Sequence, residues 1–386
     1  MFELYGICLC TAILTFLLLP YLGCRRSPAP LRHHTTESIR TFLNPPDTTV
    51  NDLLRSRSDA NTHLAHTFHL TNTFISPDPN IHTSFLRQTR CLLHAANQRG
   101  WDYFLCLSRQ AVDTSLPESS FSTFVQAATL RAIVAGLLSG DADVDMALLN
   151  SSDVNIVVSL IPRLWSLSKG PHPIQPALLA TLNHHLRHLI PDQDKYPNPL
   201  DVVIPAWETL WRVVAVTVAR AHNSPEGRDV FRRFAEIPHA EQFRRKEWVG
   251  NASAADWINE TLRLHPPVKH ITRAVVAPRA GIWGRFFRGK YTAVADIEMA
   301  QLAREEWGQE PEGYEPSRHG AGRPKALLAF GYGPLGCVAK DWAPMAAAAI
   351  VAAILDRVDG TNYEVLAGPQ VGGRKGWDEW RIRKKN

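Results

Sequence analysis

The chain has 386 residues, 45% of them hydrophobic and 20% charged, too long and too apolar for a disordered tail or a disulfide-stapled miniprotein. Its 42 basic and 37 acidic side chains leave a formal charge of +5, short of the clustered excess of a dedicated nucleic-acid binder but compatible with a basic face that meets an acidic partner. Six cysteines, three of them in or beside one N-terminal apolar run, form no spaced framework for disulfides or structural zinc, so a reducing compartment is expected.

Leu4 to Gly23 is a stretch of 20 residues without a charge, and a helix of that length crosses a hydrocarbon core about 30 Å thick. Arg25 and Arg26 follow it at once, which places the rest of the chain on the cytosolic side. The segment lacks the basic leading region and the small-residue cleavage site of a signal peptide, so residues 1–24 are read as a transmembrane anchor. Residues 25–52, basic and proline-containing, read as a linker in which Ser27 to Leu31 is a stiff extended spacer. Residues 53–386 form the predicted main domain.

From Leu53 to His188 apolar residues recur at three and four spacing, as in Val154, Val157, Leu160 and Leu164, which predicts helices. The pairs His33-His34 and His184-His185 have no third ligand close by in sequence and read as solvated surface histidines. Val202 to Ala221 is long and apolar enough to span a membrane, but Pro205, Glu208 and Arg212 interrupt it. A helix through the core of a large domain is the expectation.

Glu260 and Arg263 stand three residues apart, on one helix face, ahead of the helix-ending Leu264-His265-Pro266-Pro267. Further on, Phe330 to Ala339 is a glycine-rich loop with a single cysteine, Cys337, running into the alanine-rich helix Met345 to Ile354. A cysteine near a helix N-terminus is a candidate metal ligand or nucleophile, and the glycines allow a planar group to approach the backbone.

With these motifs in order, the sequence resembles the cytochrome P450 family. Phe330, Gly333, Cys337 and Ala339 match its haem-binding signature, Glu260 and Arg263 its Glu-x-x-Arg helix, and Arg318 the arginine of its Pro-x-Arg segment. Pro205 to Thr209 is similar to its oxygen-activation motif, retaining the acid and the alcohol as Glu208 and Thr209. Cys337 follows Glu260 by 77 residues and Arg318 by 19, spacings that fit membrane-bound members. Leu335 stands where the family usually has a histidine or arginine for a haem propionate, and little room precedes Phe74 for the family's N-terminal sheet.

The resemblance implies a mainly α fold with small β-sheets (α+β), cytochrome P450-like, following one transmembrane helix. It implies haem b with Cys337 as axial iron ligand, Phe330 and Gly333 beside it, and Arg273 and Arg87 as propionate partners. Thr209 and Glu208 would be catalytic, relaying protons, and Glu260, Arg263 and Arg318 structural. The implied activity is a haem-thiolate monooxygenase of the endoplasmic reticulum, oxidising a lipophilic small molecule of natural-product metabolism. No glycine-rich dinucleotide or flavin signature is present, so electrons would come from an NADPH-cytochrome reductase docking on a basic face that includes Arg318, Arg323 and Lys325. Two other readings stay open: a redox-neutral isomerase or dehydratase of the same family, and a haem-poor membrane-tethered scaffold.

Overall fold

The computed structural model describes residues 30–385 apart from 116–118, 141, 171–172, 247–250, 279–287, 320–326, 361–362 and 375. The predicted anchor, and with it Arg323 and Lys325, lies outside the described residues. Helices dominate, and two three-stranded sheets accompany them. In the first sheet β3 (His270–Pro278) and β4 (Arg288–Asp296) form an antiparallel pair, and β1 (Leu31–His33) runs parallel to the far edge of β4. The second joins β2 (Ser119–Ser120), β6 (Arg381–Lys384) and β5 (Tyr363–Leu366) in that order, all antiparallel.

The segment read as a linker carries β1 and the helix α1 (Thr36–Leu43), and its end opens α2 (Val50–Ala60). Ile39 and Leu43 are buried with Ala295 and Ile297 in a small core beside the first sheet. Two apolar residues four apart inside a polar, proline-flanked stretch are too few for a visible period, which is why this docking does not show in the sequence. Thr35 and Thr49 start the two helices by capping Ser38 and Asp52.

After α3 (Thr62–Phe68), α4 (Pro79–Arg99) and α5 (Trp101–Ser115) comes α6 (Phe121–Ile133), which continues as a π turn over Val134–Leu138. Residues 124–138 are buried without a break, and Gly136 lets the chain pass so close to Phe104 on α5 that a Cβ there would lie 2.6 Å from the ring. The helices α7 (Ser151–Leu167) and α8 (Pro176–Leu189) pack on one another, and α7 rests on α6.

Residues 200–221 form α9 (Leu200–Trp207) and α10 (Leu210–Ala221). This stretch and Phe121–Leu138 are the two described helices long and apolar enough to cross a membrane, and both are mostly buried inside the protein, as expected for core helices. The α9–α10 helix passes straight through Pro205 and opens one turn later, at Glu208 and Thr209. Pro205 has no N–H to give the Asp201 carbonyl four residues back. That carbonyl accepts instead from the side-chain amide of Asn72, at 2.9 Å.

The chain ends its core with α11 (Pro225–Glu236), α12 (Ala240–Arg244), α13 (Ala254–Leu264), the short α14 (Ile297–Ala300) and α15 (Arg304–Trp307), and α16 (Ala343–Gly360). Residues 345–355 of α16 are all buried. Its run of alanines brings α5, α10, α11 and α13 close around it, so one thin helix fills the centre at native density.

Candidate haem-binding site

Cys337 lies in a loop folded back on itself: its N–H donates to the Phe330 carbonyl at 2.8 Å, Gly336 to Gly333 at 3.0 Å, and Gly331 to Leu328 at 2.8 Å. Gly331 and Gly333 sit at φ 71° and 73°, in the left-handed region that favours glycine. A Cβ at Gly333 would also lie 2.8 Å from Cβ of Asn44, at the end of α1. Leu335 is half-buried in the same loop, and Phe330 packs against the main core.

The predicted helix N-terminus is not where the cysteine sits. Turns at Ala339 to Trp342 separate it from α16, which begins at Ala343. Its side chain is accessible on one side, while the protein around the loop desolvates the sulfur and pushes the thiol above its ordinary value of 9.0. A hydrogen bond involving the Ala339 backbone pulls the other way without cancelling the rise. The protein alone therefore holds a thiol here, and a thiolate needs a positive partner.

Behind the loop, Glu260 and Arg263 of α13 are completely buried and pair twice, Nε to Oε2 at 2.8 Å and Nη2 to Oε1 at 2.7 Å. Arg318 Nε donates to Glu260 Oε1 at 2.9 Å, the Glu315 N–H donates to the same oxygen at 2.9 Å, and His319 Nε2 lies 2.9 Å from Oε2. Burial alone would raise the Glu260 carboxyl, but the bonds from Arg263, His319 and the Glu315 amide hold it down at about 2. Arg263 spends its remaining N–H groups on the carbonyls of Gln301, Pro311 and Gly313.

Gln301 carries this arrangement to the cysteine loop. Its amide donates to the carbonyls of Leu262 and Arg263, and its oxygen accepts from the Leu328 N–H at 2.8 Å. Leu328 in turn closes the turn to Gly331. His319 and Gln301 were missed in the sequence because neither belongs to a spaced motif; each acts through contacts 59 and 38 residues apart.

Arg273 on β3 and Arg57 on α2 form a second constellation. Both are buried, at 8% and 6% exposure, and the Nε of each lacks a hydrogen-bond partner. Arg57 is tied to the carbonyl of Thr73 at 2.6 Å, and the hydroxyl of Thr73 lies 2.8 Å from His82 Nδ1. Burial brings both guanidinium groups down to about 10, and the charge of Arg273 adds to the effect on Arg57. Neither has a carboxylate partner among the described residues. Ser56 bonds the Ala274 carbonyl at 2.7 Å and Ile271 reaches within 3.8 Å of where a Gly331 Cβ would be, so β3, which carries Arg273 and meets α2 beside Arg57, adjoins the cysteine loop.

Arg87 is not in this group. It is exposed on α4, and the inward position on that helix is His82, five residues away and hence about 140° around the axis. Arg57 occupies the interior instead. No sequence signal marked it, because its neighbour Arg273 is 216 residues distant.

At the break between α9 and α10, Glu208 is buried and bonded to two guanidinium groups, Arg212 at 2.7 Å and Arg374 at 2.5 Å. Arg212 also donates to the Pro267 carbonyl, and Arg374 lies over the Trp165 ring. Thr209 is half-buried. Unlike Thr217, which bonds back to the Val213 carbonyl, its hydroxyl makes no hydrogen bond among the described residues.

Two buried cations without a carboxylate partner among the described residues, on elements next to the loop of an accessible thiol, fit a group that brings both carboxylates and a thiolate-binding metal. The comparisons with known proteins agree. Residues 255–361 match the family model "Cytochrome P450". In fold, the chain is similar to CYP175A1 from Thermus thermophilus, with a TM-score of 0.55, 15% identity, and coverage of 92% of this chain and 89% of that one. It is similar also to CYP154A1 from Streptomyces coelicolor A3(2), at TM-score 0.56, 17% identity and 90% coverage of each chain. A third is P450 OxyD, involved in the biosynthesis of vancomycin-type antibiotics, at TM-score 0.55, 15% identity, and 93% and 91% coverage. None of the curated proteins matches the chain by sequence. Members of the matched family bind haem through a cysteine thiolate. The segment from α13 to α16 thus carries the match to the cytochrome P450 family model, and the fold is one the chain shares with solved cytochrome P450 structures along nine-tenths of its length.

Proposed function

We propose that the protein is a haem-thiolate monooxygenase that oxidises a lipophilic small molecule. The observation that carries this reading is the pair Arg57 and Arg273, two buried cations without a carboxylate partner among the described residues, on elements that adjoin the loop of Cys337. Cys337 would hold the iron, Arg57 and Arg273 the two propionates. Arg57 thus stands in for the anchor missing at Leu335. Bound in this way, haem supplies the activation of dioxygen.

The chain's own residues do the rest. Cys337 gives up its proton when a metal replaces it, since burial otherwise keeps the thiol neutral. The Phe330 carbonyl holds the Cys337 N–H, and Glu260, Arg263, Arg318 and Gln301 fix the loop from behind. Thr209 is the proposed proton donor, its hydroxyl left without a partner among the described residues at the helix break. Glu208 positions that break through Arg212 and Arg374.

The two electrons would come from an NADPH-cytochrome reductase, and the uncharged segment Leu4 to Gly23 would anchor the protein in the endoplasmic reticulum membrane. A role in natural-product metabolism is in keeping with the pathway of one structural neighbour. A redox-neutral haem enzyme is the second reading, favoured by the engagement of both Glu208 oxygens with guanidinium groups, which ties that carboxylate into ion pairs.

The test is the carbon monoxide difference spectrum of the reduced protein, with Cys337→Ser beside it. A strongly red-shifted Soret band in the parent, lost in the variant, supports haem-thiolate ligation; folded parent protein without haem refutes it. Product formation that depends on the reductase then separates the monooxygenase from the redox-neutral enzyme.

A further inference from the structure

The histidines of α8 gain in the fold the third ligand they lack in the sequence. Leu179, Leu182, Leu186 and Leu189 bury one face of α8. On its flank, His185 and His188, three residues apart, meet Asp153 from the first turn of α7. His185 Nδ1 lies 2.6 Å and His188 Nδ1 3.3 Å from the same oxygen, Asp153 Oδ1. One ligand atom from each of the three side chains falls within 4.8 Å of the others. His184 stands one turn before His188, with ring centroids 4.5 Å apart.

Two imidazoles and one carboxylate with open positions are the ligand set of zinc-class ions, whereas calcium and magnesium demand more oxygens. Bonds of about 2.0–2.1 Å in a tetrahedron put ligand atoms roughly 3.4 Å apart, so an ion would enter by small rotations of side chains already facing one another. Side-chain exposures of 13% for Asp153, 21% for His185 and 51% for His188 leave the group both anchored and reachable. We propose that Asp153, His185 and His188 bind a divalent transition cation of the zinc class, which ties α7 to α8. The site is remote in sequence from the haem-binding constellation and independent of the reading given for it.

The test uses untagged, full-length, haem-loaded protein, so that Cys337 is occupied, or the Cys337→Ser chain if haem does not load. After removal of adventitious metal, Zn2+ is titrated against a chromophoric chelator. One equivalent is expected to bind, with affinity at least tenfold lower in His188→Ala and in Asp153→Asn, the scale on which loss of a metal-site interaction registers. Zn2+ should also raise the thermal midpoint of the parent and not that of His188→Ala. Because His188 is half-exposed on a helix surface, its variant keeps the fold, and it alone decides the matter if Asp153→Asn does not fold. A loss of less than tenfold in His188→Ala, or no binding to the parent at about 100 μM Zn2+, overturns the proposal.

Discussion

Replacing Glu260 by glutamine removes one charge and almost no volume from the interior. The glutamine keeps an oxygen to accept with, but Arg263 remains fully buried with its charge uncompensated, and an amide N–H2 now faces guanidinium donors. Breaking a buried pair in this way costs about 3–5 kcal/mol. The titration of Glu260 gives an independent scale. A carboxyl that moves from 4.5 in the open chain to about 2 in the fold is linked to roughly 3 kcal/mol of stability at neutral pH. Because the folded value is the lower one, this contribution is complete above about pH 4.5 and is lost as pH falls toward 2. Urea unfolding of parent and Glu260→Gln, followed by tryptophan fluorescence, should therefore differ by about 3 kcal/mol at pH 7 and by less at pH 3.5, where the parent has begun to lose the same term. The double variant Glu260→Gln/Arg263→Met should recover part of the loss. A single-variant cost below about 1 kcal/mol at pH 7 would refute the account of Glu260 as the counter-charge of a buried cluster.

Arg273→Met should act with opposite signs on the two forms of the protein. It removes one of two buried cations that have no carboxylate partner among the described residues and so raises the thermal midpoint of haem-free chain by a few degrees, about 1 kcal/mol, while haem transfer to apomyoglobin becomes faster. Gly333→Ala combines a positive φ with a contact of 2.8 Å to the Asn44 side chain. It should cost about 2–3 kcal/mol in chemical denaturation and lower haem content at purification, with Asn44→Gly restoring only the steric part. Thr209→Ala should leave unfolding unchanged within about 0.5 kcal/mol, because the hydroxyl bonds no described group, yet reduce product formed per NADPH consumed.

What the sequence revealed and what it hid follow from the range of the contacts. Glu260 and Arg263 were legible because three residues on a helix share a face. The glycines of the cysteine loop were legible because strained turns select for them. The docking of residues 31–43 was not, since Ile39 and Leu43 alone give no period, and it depends on a parallel pairing of β1 with β4 more than 250 residues on. Arg57 was hidden for the same reason: inside a polar helix that begins with an ordinary capping box, an arginine reads as surface until β3 arrives beside it. Asp153 likewise looks like a helix-start acid serving the dipole. Only the packing of α8 on α7 turns it toward the histidines.

Asn72 and Thr73 are neighbours in the chain, and they face two different tasks. Asn72 holds the carbonyl that Pro205 leaves bare on α9, and Thr73 holds the guanidinium of Arg57. A span of two residues therefore works as a crossbar between the cation-rich end of the site and the helix that bears Glu208 and Thr209. The chain path from the guanidinium of Arg57 to the carbonyl of Asp201 is therefore one peptide unit long, so the two sides of the site share a single short support.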